Sequence, residues 1–280
     1  MKIFSFCKKI RNSLIVKMRN FIFDIYDKTP LVGRPLVAFW NFLDDVKSEI
    51  EKRTLQLKAR LMPGDDTLRK ELEIFFKGIK DKDFKEGNAY QPYQPIINSG
   101  LKDLPFLKEG EVRFKIIKEN FSAPKGTLLD IGANLGYFCH KFEDEGFDCY
   151  AVEANRMLCY FMEKLRRAER KKFKVISQSI FDYKRNKDLV FDVVLALSVL
   201  HNFLQRKDTY FGLIKLLKRL KAQELFLETY FFDPSNPPKN YYKNYTPDEF
   251  VSFIIENSSF KKAEFIGKSE QGRPIYKLTP

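Results

Sequence analysis

Residues 128–138, LLDIGANLGYF, constrain the fold more than any other stretch of the chain. An apolar run ends in an acid, Asp130, and passes through a turn bearing Gly132 and Gly136 into an apolar, aromatic segment. This pattern reads as a buried strand that turns sharply into a helix. A strand followed by a crossover helix returns the next strand parallel to the first. The downstream sequence repeats the alternation. Strands are expected at 127–131, 148–153, 173–177, 191–197 and 223–228, and helices at 135–146, 155–170 and 205–221. The expected class is α/β, a doubly wound and mostly parallel sheet with helices on both faces. Two further strands, KKAEFIG and RPIYKL, are joined by the short link KSEQG and so form an antiparallel pair at the sheet edge. The helix before them opens with Thr246-Pro247-Asp248-Glu249, a capping sequence.

Ahead of this region the pattern changes. Residues 1–85 read as a helical extension, broken at PLVGRP and at MPGDD, with Asp66 as an expected N-cap for a helix over 67–80. Residues 86–110 hold Pro92, Pro95 and Pro105 and read as an irregular connector. The domain proper is expected over 111–280. Residues 1–20 hold six basic residues and no acid, which suits a helix lying on an anionic membrane as well as one packed on its own protein. Their apolar runs are too short to span a bilayer. The four cysteines form no CxxC pair and the only histidines are His140 and His201, so no metal site or disulfide scaffold is expected and a reducing cytoplasm fits best. The net charge of +13 admits nucleic acid as a partner.

The chemistry is concentrated at the expected strand ends. A dinucleotide loop reads G-x-G-x-x-G, whereas this one reads D-x-G-x-x-x-G. Asp130 would repel a phosphate and suit a cation. The turn and the helix start would offer backbone amides. Glu153 ends the next strand, 21 residues after Gly132, the spacing of an acid that binds ribose hydroxyls. For both acids the alternative role is to cap the helix that follows. No lysine of a triphosphate loop is present. A ribose clamp, amides and an acid for a positive group, without a phosphate site, match S-adenosylmethionine.

These segments resemble a known family. LLDIGANLGYF looks like the first motif of the class I S-adenosylmethionine-dependent methyltransferases, YAVEAN is similar to their second, and FDVVLALSVLHNF resembles their fourth. The likeness covers about residues 111–280 and departs at Asn134, where many members carry glycine. It implies a Rossmann-like sheet of seven strands and S-adenosylmethionine as cofactor. Asp130, Gly132, Asn134 and Gly136 would shape the methionine end of the site, Glu153 would hold the ribose, Ser179 and Ile180 would meet the adenine, and Ser198 would border the cofactor. It also implies that Tyr93, Gln94, the Leu104-Pro105 turn and Arg113 form a cofactor-facing approach, with Arg113 paired to the cofactor carboxylate.

Methyl transfer needs mainly an in-line nucleophile, plus a base where the nucleophile is an alcohol. His201 is the candidate base, Glu228 and Tyr230 are candidate substrate contacts, and His140 is read as packing. The Asn-Pro-Pro-Tyr sequence of amide- and base-methylating members is missing after the fourth strand. The ending GKSEQGRPIYKL is similar to endings of methyltransferases found with surface-polysaccharide biosynthesis. The resemblance therefore implies a small-molecule, surface-glycan or lipid-linked acceptor, methylated at oxygen. RNA, favoured by the charge and by Lys164, Arg166, Arg167, Arg170, Lys171 and Lys172, is the alternative acceptor, and a binding protein without turnover is a third reading.

Overall fold

The computed structural model describes residues 65–78, 94–98, 100, 101, 104, 106, 110–123, 125–183, 188–230 and 241–280. The expected helices before residue 63, the connector around Tyr93 and the middle of the Pro/Tyr-rich loop lie outside them. The described chain runs α1 (Asp65–Gly78), α2 (Glu111–Glu119), β1 (Thr127–Ile131), α3 (Tyr137–Asp144), β2 (Asp148–Glu153), α4 (Arg156–Ala168), β3 (Lys174–Ser177) and β4 (Leu189–Leu197). A 3-10 turn (Leu200–Leu204), α5 (Lys207–Arg219), β5 (Leu220–Glu228), α6 (Pro247–Glu256), β6 (Lys262–Lys268) and β7 (Pro274–Thr279) follow.

The seven strands form one sheet in the order β3-β2-β1-β4-β5-β7-β6. The first five are parallel, and β7 runs antiparallel to both β5 and β6. Strand residues alternate between two cores, as the two-residue period requires. Leu129, Ile131, Val152, Val194, Ala196, Leu225 and Leu227 pack with residues of α5 and α6. Leu128, Ala151, Val193, Leu195 and Phe226 pack on the other face with Phe114, Phe138 and Phe142 of α2 and α3. Phe121 bridges that second core, 5.3 Å from Phe142 and 5.1 Å from Phe226 between ring centroids.

Several boundaries differ from the sequence pattern for physical reasons. α3 begins at Tyr137 rather than 135, because Gly136 is left-handed with φ 82°. β5 begins at Leu220, straight out of α5, where it pairs with Leu189 at the bottom of β4. α1 begins at Asp65, so Asp66 lies inside its first turn rather than ahead of it. α1 packs on α4: Phe75 meets Phe161 at 5.0 Å, and Glu71 accepts from Tyr160 Oη and Lys164 Nζ. Thr246 and Glu249 form the capping box at α6. Among the described residues no helix is long and apolar enough to cross a membrane, and no group of three His, Cys, Asp or Glu could hold a metal ion.

Candidate functional site

Strand order reverses between β1 and β4, and crevices at such a point, beyond the carboxyl ends of the strands, are where open α/β sheets bind ligands. A cavity of about 400 Å³ lies there. Its walls come from the end of β1 and its turn, the end of β2, the turn after β3, and the end of β4 with the 3-10 turn. Asp130, Gly132, Asn134, Glu153, Ser179, Ile180 and Ser198 all line it. Gln94 of the connector lines it as well, and Tyr93 lies outside the described residues.

The glycine turn is built differently from a phosphate loop. The amides of Gly132 and Ala133 both donate to Val152 O, at 2.9 and 3.2 Å. Asn134 N donates to Glu153 Oε2 at 3.0 Å, Leu135 N to Asn134 Oδ1 at 2.9 Å, and Gly136 N to Ala133 O at 2.8 Å. Every amide from 132 to 136 thus has a partner within the protein, so the expected row of free donors in the turn is absent. Asn134 adopts φ 54°, a left-handed conformation that asparagine tolerates. Gly132 and Gly136 answer to neighbours across the fold. A Cβ at Gly132 would fall 2.9 Å from Val199 Cγ2, and one at Gly136 would fall 2.9 Å from Met162 Cγ and 3.2 Å from Phe173 Cζ. Gly136 therefore serves packing of α3 against α4 and is not among the cavity-lining residues.

The charged side chains lining this cavity are two carboxylates, Asp130 and Glu153. Neither acid is the N-cap of the following helix: Gly136 stands at the cap of α3 with no side-chain bond, and the Asn155 side chain caps α4. Asp130 is 3% exposed, and Cys139 Sγ donates to its Oδ2 at 3.9 Å. Burial, reinforced by the charge of Glu153 and opposed by that of Arg113, pushes the Asp130 carboxyl up to about 7. Glu153 is raised by burial too, against the pull of the Asn155 and Asn134 amides. A buried and a half-buried carboxylate face one cavity, and among the described residues no cation lines it, which is electrostatically costly unless a positive ligand enters.

Behind the cavity lies a polar network. Arg113, wholly buried on α2, donates through Nη1 to Glu228 Oε2 at 3.4 Å and sets Nε 3.3 Å from Glu270 Oε2. Its guanidinium also covers Phe138, 5.6 Å from the ring centroid. Ser198 Oγ donates to Glu228 Oε2 at 2.6 Å and accepts from Arg273 Nη1 at 2.9 Å. Neither Arg113 nor Glu228 lines the cavity; Ser198 is the member of the network that does. His201 sits on the 3-10 turn with its ring 5.1 Å from that of Tyr230, and neither is a lining residue. Tyr230 Oη donates to Tyr245 O and accepts from Tyr245 N at 3.3 Å, which ties it to the chain before α6. His140 is buried against Phe173 at 4.9 Å. Sequence reasoning did not single out Phe138, Leu158, Asn202 and Phe203 as lining residues. Their signal was available only as position, on the elements that follow each strand.

No protein-family model and no curated protein sequence matches the chain. Solved structures do. The bifunctional kinase-methyltransferase WbdD superposes with a TM-score of 0.54 at 18% identity, over 68% of this chain and 44% of WbdD. A co-crystal structure of WbdD with the kinase inhibitor LY294002 gives 0.55 at 18% identity, over 68% and 45%. The PH0226 protein of Pyrococcus horikoshii OT3 gives 0.51 at 14% identity, over 70% of this chain and 99% of that one. The chain spans less than half of the WbdD chains it matches. Sheet order, antiparallel hairpin and these superpositions agree: the chain has the Rossmann-like fold of the S-adenosylmethionine-dependent methyltransferases.

Proposed function

We propose that the protein is a methyltransferase that uses S-adenosylmethionine and methylates an oxygen of a small molecule or of a surface-glycan or lipid-linked precursor. The observation that carries this reading is the pair of acids, buried Asp130 and half-buried Glu153, on one cavity at the strand-order reversal. Asp130 would hold the ammonium group, Glu153 the ribose hydroxyls, and Ser179 with Ile180 the adenine. The amides of the turn, expected as donors to the ligand, are engaged within the protein, so the reading rests on the two carboxylates. When bound, S-adenosylmethionine supplies a methyl group already activated on a sulfonium. The protein's part is to bind, to orient the acceptor and to remove its proton.

The RNA reading loses support in the fold. Lys164 is 5% exposed and paired with Glu71 at 2.6 Å, Arg166 and Arg167 both bind Glu163, and Lys171 binds Asp144. Four of the six cations that suggested it are thus paired with three carboxylates. Calorimetry with S-adenosylmethionine tests the proposal. Binding is expected, and Asp130→Ala and Glu153→Ala should each weaken it about 100-fold, the loss of a charge-assisted hydrogen bond. No binding by the unaltered chain, or unchanged affinity in both variants, would refute it.

A further inference from the structure

The Ser198 hydroxyl has a fully determined hydrogen-bond polarity. A carboxylate can only accept, so the single hydroxyl proton points to Glu228 Oε2, 2.6 Å away. A guanidinium can only donate, so Arg273 Nη1 fills one lone pair at 2.9 Å. A hydroxyl has two lone pairs, and one remains. Ser198 lines the cavity, so anything that meets its oxygen there must bring an O–H or N–H. Two independent observations mark the position as special. Ser198 is a non-glycine residue at φ 56°, an unfavourable left-handed conformation that persists where the surroundings impose it. Its backbone N donates to Glu228 O at 3.2 Å, so the same residue fixes both its main chain and its side chain. Glu228 in turn keeps unused capacity: among the described residues its Oε1 is buried with no hydrogen-bond partner.

We propose that Ser198 and Glu228 form a proton relay for a hydroxyl-bearing methyl acceptor, with Arg273 as a positioning residue. This rests on the methyltransferase reading above and supplies the base that it requires. The acceptor hydroxyl donates to the open lone pair of Ser198 Oγ. As its oxygen bonds to the methyl carbon, its proton moves to Ser198 Oγ and the proton of Ser198 moves to Glu228 Oε2. The bond broken is that between methyl carbon and sulfur, whose electron pair stays on sulfur. A sulfonium and a carboxylate are replaced by a neutral thioether and a neutral carboxylic acid, so charge and protons balance. Arg113 and Arg273 hold the two relay atoms in place but take no proton. His201, packed on Tyr230, is not needed in this scheme.

The test uses the full chain, methyl-labelled S-adenosylmethionine and the glycan fraction of a cell extract. Label should enter an alkali-stable ether. At saturating cofactor Ser198→Ala and Glu228→Gln should each lower the rate about 100-fold, the lower range for a lost general base, while calorimetric affinity for the cofactor changes less than threefold. Ser198→Gly, which relieves the left-handed backbone but lacks the hydroxyl, should be as slow as Ser198→Ala. Independently of turnover, infrared spectra of the chain alone should show a carboxylate band, absent in Glu228→Gln, that shifts in Ser198→Ala. Because Glu228→Gln disturbs the buried Arg113, Ser198→Ala carries the decision should that variant fail to fold. Unaltered rate in Ser198→Ala, label confined to esters or amines, or an unshifted carboxylate band would overturn the relay. Absence of cofactor binding by the unaltered chain would instead remove the methyltransferase reading beneath it.

Discussion

Asp130 is the residue whose chemistry depends most on its surroundings. Its carboxyl is ordinary in an unfolded chain and is pushed up to about 7 when the empty protein folds. A folded-state pKa raised above the unfolded value gives stability that is complete below about 4 and is lost as pH rises through 7. The folded protein is therefore weakened at pH 8 by the buried charge of Asp130. Binding runs the other way, because an ammonium group needs the charged carboxylate. Cofactor affinity should rise about tenfold per unit between pH 5.5 and 7 and level off above. Asp130→Asn should flatten that profile and raise the denaturant midpoint of the empty protein at pH 8. Calorimetry across pH and urea melts of both forms would check the two expectations. Asp130 and Glu153 were legible in the sequence because each ends an apolar run before a turn. What was not legible is that the amides of the turn are already engaged, since that depends on Val152 O and Glu153 Oε2 arriving from β2.

At the scale of elements, α2 and the β6–β7 hairpin are joined through charge rather than through apolar packing alone. Arg113 reaches Glu270 in the hairpin link and Glu228 at the end of β5, residues more than a hundred positions away in sequence. Spacing within α2 shows an amphipathic helix but gives no hint that its arginine faces inward. Burial of the guanidinium follows from the fold, with Phe138 beneath it. Breaking a buried pair by removing one partner strands the other charge and costs about 3–5 kcal/mol. Arg113→Met should lose stability on that scale, visible as a lower urea midpoint, and Arg113→Met with Glu228→Gln should lose less than the sum of the two. Additivity would mean that the two side chains do not interact in solution. The strand–helix alternation, the closing hairpin and the capping box of α6 were readable because each rests on local chemistry. The Arg113–Glu228–Ser198–Arg273 network was not, because Ser198 and Arg273 are 75 residues apart and meet only when β7 docks on β5.

For the whole molecule, the net charge points to an anionic partner, whereas the described cations around one helix are largely paired. A net charge of +13 draws polyanions, but affinity for nucleic acid grows with the cations free to displace counterions. Around α4 most of those cations are committed to Glu71, Glu163 and Asp144. Transfer RNA should bind weakly, with a dissociation constant on the order of 10⁻⁵ M at 50 mM salt and little binding by 200 mM. A filter-binding series in salt checks this. Tight binding that survives 200 mM salt would place RNA ahead of the small-molecule and glycan reading.

The closed hydrogen-bonding of the glycine turn also has a consequence for speed. A loop that must be ordered by its ligand charges that ordering against affinity and slows capture. Here Asn134 is pinned to Glu153, and Gly132 and Ala133 to Val152, before anything arrives. The receptor is preorganised, so association should be a single fast phase with no concentration-independent step. Under the proposed function, a change of acceptor is expected to fall on the Ser198 side and to leave this turn unchanged.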